Sequence, residues 1–150
     1  MSIHHRIRPL CYLAAGLLAL MALPAIAEGI DRRPAPDGAE VYIISPKDGE
    51  TVSSPVTVRF GLRGMGVTPA GSDLPATGHH HLLIDTDGLP PLDQPVPADE
   101  HHVHFGKGQT ETTIELAPGE HTLQLLLADF RHIPHDPPVS SAVIHITVKP

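Results

Sequence analysis

From Glu40 onward, apolar and polar residues alternate with a period of two, the spacing of a strand with one buried face. The alternation predicts strands at about 40–45, 55–63, 79–85, 101–105, 110–116, 121–129 and 141–148. Turn formers separate them: Pro46-Lys47-Asp48-Gly49, Ala117-Pro118-Gly119-Glu120 and the segment Pro134 to Pro138. No stretch of this region repeats at helical spacing. Seven short strands in about 110 residues predict an all-β fold, an antiparallel β-sandwich of immunoglobulin or fibronectin type.

The same alternation assigns faces. His121, Leu123, Leu125 and Leu127 share one side of their strand, with Thr122 and Gln124 on the other. Ile144, Ile146 and Val148 point inward, which turns His145 outward. Two connections, 64–78 and 86–100, are long for a sandwich and rich in Gly and Pro, the kind of loop that carries function or moves.

The first residues read differently. Arg6 and Arg8 precede an apolar run from Leu10 to Leu23, and Ala25-Ile26-Ala27 supplies small residues for cleavage. Residues 1–27 are therefore expected to be a secretory signal peptide, residues 28–39 a polar linker and residues 40–150 the folded domain. The expected location is periplasmic or secreted, with no membrane span after cleavage. Loss of Arg6 and Arg8 takes Lys and Arg from 10 to 8 against 17 acids, a net charge of −9 for the exported part. Such a domain is a poor partner for nucleic acid. The single cysteine, Cys11, lies in the signal, so disulfides and thiolate metal sites are not expected in the exported domain.

Histidine is the residue in excess. Of the 12 in the chain, ten follow the signal, and eight of these fall in three clusters: His79-His80-His81, His101-His102-x-His104 and His132-x-x-His135. Alternation puts His79 and His81 on one face of their strand and His80 on the other, beside Leu82 and Ile84. It likewise pairs His102 with His104, opposite His101, Val103 and Phe105. If the two strands are neighbours, His79, His81, His102 and His104 form a four-imidazole patch, with His132 and His135 entering from a loop. Neutral imidazoles without thiolate, and with Met65 the only methionine after the signal, suit copper(II) or zinc. His80 and His101 read as core or strand-pair residues held by one hydrogen bond each. His121 after its Pro-Gly turn reads as a structural hydrogen-bonding residue, and His145 as an exposed one.

The strings TGHHHLLID (77–85), PLDQPVPADEHHVHFGKGQTET (91–112), APGEHTLQLLLAD (117–129) and HIPHDPPVSS (132–141) resemble a bacterial exported family. It is the domain-of-unknown-function family number forty-three ninety-nine, and the likeness spans nearly all of 40–148. The resemblance implies a small exported β domain and no particular activity. The residues themselves favour a non-enzymatic periplasmic module binding a metal ion through His79, His81, His102, His104, His132 and His135. A metal-free, pH-responsive domain that binds an envelope protein is the first alternative, since histidine titrates near pH 6.5. The second is a metal oxygenase: His102, His104, Gln109 or Glu111, and His121 resemble the ligand set of the cupins, with Gln where the usual Glu belongs.

Overall fold

The computed structural model describes residues 30–150. The expected signal peptide lies outside the described residues. Nine strands and no helix make up the secondary structure of this part. They are β1 (Glu40–Ser45), β2 (Glu50–Val52), β3 (Val56–Arg63), β4 (Gly66–Val67), β5 (Thr77–Ile84), β6 (His102–His104), β7 (Glu111–Ile114), β8 (Gly119–Ala128) and β9 (Ile144–Val148). Each of the seven strands expected from the alternation is present. The two additional ones, β2 and β4, have three and two residues, too few for a period-two pattern to show.

The strands form two sheets. The smaller has the order β1-β3-β7, all antiparallel, and the larger runs β2-β9-β8-β5-β4, with β6 also paired to β5. Both sheets turn their alternate apolar residues toward a shared core. Val41, Val56, Val58 and Phe60 enter it from the smaller sheet, and Leu82, Ile84, Leu123, Leu125, Leu127, Ile146 and Val148 from the larger. Burial of such side chains is the main favourable term in folding, about 1.5–3 kcal/mol for each large one. His80 points into this core and packs its ring on Phe60 at 5.2 Å, its Nδ1–H donating to the Gln109 carbonyl at 3.3 Å. His145 points out, as its neighbours Ile146 and Val148 require.

β5 and β8 depart from simple alternation. Every residue of β5 from Gly78 to Ile84 is buried, as are the last four of β8. The reason is a second, smaller apolar cluster on the far face of the larger sheet, made of Leu83, Leu126, Ala128 and Val96, with Leu89 against it. Val96 and Leu89 belong to the long 86–100 connection, which covers this face instead of leaving it to water. Part of the Pro-rich segment before β1 is docked as well. The Ala35 amide donates to the Asp136 carbonyl at 2.8 Å, the Asp136 amide to the Arg33 carbonyl at 2.8 Å, and the Arg131 guanidinium to the Asp31 carbonyl at 2.7 Å.

Close packing where β5 meets β8 depends on one glycine. A Cβ on Gly78 would stand 2.7 Å from the Ala128 carbonyl oxygen and 2.9 Å from Leu127 Cγ, both inside van der Waals contact. Gly78→Ala is therefore expected to destabilise the domain by about 1–3 kcal/mol. The midpoint of urea unfolding checks this, and an unchanged midpoint would show that β5 and β8 can separate without cost.

Candidate metal centre

Four imidazoles meet on the outer face of the larger sheet. His79 and His81 are neighbours on that face of β5, with ring centroids 4.8 Å apart. Register brings the third: His104 of β6 stands directly across from His81, and their rings are 5.2 Å apart. The fourth, His132, comes from the loop that leaves β8, whose last residue, Ala128, pairs with His79. Its ring lies 4.9 Å from His79, 6.1 Å from His81 and 4.7 Å from His104. One nitrogen each from His79, His81 and His104 falls within 4.8 Å of the others. Nitrogens ligating one tetrahedral ion stand about 3.4 Å apart, so side-chain rotation of about an ångström closes the set.

Of the six expected ligands, the structure brings four together and places His102 and His135 apart from them. β5 and β6 are neighbours, but the register sets His102 across from Leu83, one row beyond His81 and His104. There its Nδ1 bonds to the Asp99 carboxylate at 2.8 Å. His135 is buried, but it turns toward Gly78 and lines a separate cleft with Arg33, Pro34, Pro75 and Ala76. The four-imidazole group thus contains His132 in place of His102, and the H-x-x-H pair of the loop is divided. The residues of the cupin-like set are also dispersed. Glu111 pairs with Arg59 on the smaller sheet, the Gln109 side chain accepts from the Lys107 amide, and His121 binds Asp85.

His121 faces an acceptor at each of its ring nitrogens. Nδ1 stands 2.7 Å from the Asp85 carboxylate and Nε2 2.9 Å from the Ala117 carbonyl, and the Asp85 bond raises its pKa above the usual histidine value. This is the structural role expected of it. His101 also makes its one bond, to the Ile84 carbonyl at 2.9 Å, though its ring is half-exposed.

The cluster is electrostatically the reverse of His121. His79 and His81 are 0% and 1% exposed, and none of their four ring nitrogens has a hydrogen-bond partner among the described residues. Burial pushes the His79 pKa down to about 4, with the neighbouring His132 and His104 adding to the effect. Burial pushes His81 down to about 2, helped by His79. His104, exposed on one side, is lowered for the same reasons. The buried rings are thus neutral at pH 7, with lone pairs free to ligate.

Backbone and carboxylate chemistry hold the fourth ring in place. His132 has a φ of 69°, in the left-handed region that histidine enters more readily than most residues. The Asp129 carboxylate, 1% exposed, accepts from the Arg131 amide at 2.8 Å and the Ile133 amide at 3.0 Å, and it also binds the Arg131 guanidinium at 2.9 Å. The Val96 amide donates to the His132 carbonyl at 2.9 Å, tying this turn to the 86–100 loop. Sequence reasoning left Asp129 without a role, although a carboxylate closing an apolar strand just before a turn is a known loop former. Gly106 is a second omission. A Cβ there would stand 2.3 Å from His104 Cε1, so glycine makes the room for that ring.

Asp129→Ala is expected to cost about 3 kcal/mol, because it strips buried amides and a guanidinium of their acceptor. If the ring cluster ligates zinc, the same change should weaken zinc binding about 10–100-fold through misplacement of His132. Urea unfolding and zinc titration measure the two effects separately.

The comparisons with known proteins come down to one family. No curated protein and no solved structure matches the chain. The sequence model described as Domain of unknown function (DUF4399) matches residues 58–149, from β3 through β9, and so includes all four clustered histidines. The chain belongs to the DUF4399 family.

Proposed function

We propose that the domain is a periplasmic, non-enzymatic binding module that holds one zinc or copper(II) ion through His79, His81, His104 and His132. The observation that carries this reading is the convergence of one nitrogen each from His79, His81 and His104, with the His132 ring beside them and four buried, unpartnered nitrogens on His79 and His81. A buried polar atom without a partner costs about 1–3 kcal/mol, and here four of them stand side by side. A borderline cation takes one nitrogen from each ring, the one that carries the lone pair. Thiolate and thioether are missing from the donor set: Cys11 is the only cysteine of the chain, and Met65 packs against the core. Four protein ligands fill a tetrahedral shell, the arrangement of sites that hold an ion rather than of sites that open a position to substrate.

In this reading the apolar segment Leu10–Leu23 directs export, and the two sheets form an immunoglobulin-like sandwich whose outer face carries the metal. A second reading, a metal-free domain that responds to acid and binds an envelope protein, draws on the lowered pKa values of the same buried rings. Metal content separates the two. The exported chain, untagged and purified without chelator, is expected to carry about one zinc or copper per molecule by mass spectrometry. His79→Ala/His81→Ala is expected to carry none. A wild-type chain that is empty, and stays empty on titration with either ion, would overturn the metal reading.

A further inference from the structure

We infer that the site is shaped for a tetrahedral ion, zinc, against the square-planar arrangement that copper(II) favours; this rests on the metal-binding reading above. The six centroid separations among His79, His81, His104 and His132 carry the inference. Five of them fall between 4.7 and 5.2 Å, and the sixth, His81 to His132, is 6.1 Å. In a planar square, two opposite pairs must both be about 1.4 times longer than the adjacent ones. The pair opposite His81 and His132 is His79 and His104, and its separation is only 5.0 Å. No other division of the four rings gives even one long pair. A tetrahedral ion with nitrogen ligands at about 2.0–2.1 Å and ring centres about 1.2 Å beyond them sets every pair about 5.2 Å apart. The cluster is a slightly flattened version of that figure.

The fold explains why. His79, His81 and His104 stand on the pleated surface of one sheet, two along β5 and one across from it. Had the fourth ring been His102, all four would have risen from the same surface, with His102 a row beyond the others. His132 instead reaches the group from the loop leaving β8, a loop fixed by the Asp129 carboxylate and the left-handed turn. Three corners belong to the sheet and the fourth to a loop, which is how a tetrahedron is built on a nearly flat base. Simple nitrogen donors bind copper(II) more tightly than zinc, so selectivity for zinc has to come from imposed geometry.

Cobalt(II) tests this directly, because its four-coordinate complexes absorb visible light far more strongly than six-coordinate ones. The full chain titrated with cobalt(II) is expected to give intense visible bands that saturate at about one equivalent and vanish when zinc is added. His132→Gly, which suits the positive φ, is expected to lose most of that intensity and to weaken zinc binding about tenfold or more. His102→Ala is expected to leave both unchanged. A pale cobalt spectrum at full stoichiometry, or a copper(II) spectrum of ordinary square-planar type, would overturn the tetrahedral inference and leave the metal reading standing. The tetrahedral inference would fall in the same way if His102→Ala, and not His132→Gly, removed the bands. Failure of cobalt, zinc and copper alike to bind would remove both.

Discussion

Zinc at about a hundred times its dissociation constant is expected to stabilise the native domain by about 2.7 kcal/mol. At about 4 °C per kcal/mol for a domain of this size, its melting midpoint should rise by roughly 10 °C. The sharper result concerns His81→Leu. In the metal-free protein, His81 buries two unpartnered nitrogens beside the apolar wall of Leu83 and Leu126. Leucine of similar volume has no polar atom to strand there. Without zinc, the variant is expected to be more stable than the wild type by about 1–3 kcal/mol. With zinc, only the wild type gains, by about 2.7 kcal/mol, and the order reverses wherever the difference under chelator is smaller than that. Thermal melts with chelator and with zinc read both halves. A variant less stable than wild type under chelator would mean that the His81 ring is already satisfied within the fold, and the case for a ligand would lapse.

That crossing of stabilities is the physical sense in which the site stood out in the sequence. Three histidines in a row followed directly by Leu, Leu and Ile cannot all serve a core, and alternation alone separated His80 from His79 and His81. Strands β1, β3, β7 and β9 were equally legible, since each has one face against the shared core and therefore a period of two. What alternation could not supply was register. A strand of three residues, β6, offers no internal pattern to say whether His102 or His104 stands across from His81. Backbone bonds between the two segments fix it, from the Ile84 amide to the His101 carbonyl at 2.9 Å and from the Phe105 amide to the His80 carbonyl at 3.1 Å. These are long-range pairings, invisible to a local reading. The burial of both faces of β8 has the same origin. Leu126 and Ala128 are out of phase with the core face because a distant loop covers them.

Acid is expected to destabilise the metal-free domain steeply below pH 6.5. In the unfolded chain the histidines take up protons near that value. In the folded domain His79 and His81 are held down to about 4 and about 2, chiefly by burial. Lowered folded values mean that the stability they permit is complete above pH 6.5 and is lost as the pH falls toward the folded pKa. At pH 5 each costs at most about 2 kcal/mol, less where water on the open His104 side screens the charge. His80, His104 and His135 are lowered as well and act in the same direction. His121 opposes them: its raised value contributes stability in full below pH 6.5, lost only as pH rises through that value. A loss of about 3–4 kcal/mol from the buried pair is a large share of the 5–15 kcal/mol typical of a domain. Urea midpoints in chelator should therefore fall markedly between pH 7.5 and 5, and His81→Leu should flatten the fall by nearly half. A wild-type midpoint that stayed level across this range would show that the buried rings admit protons freely. In that event they would be no better prepared for a cation than exposed histidines are.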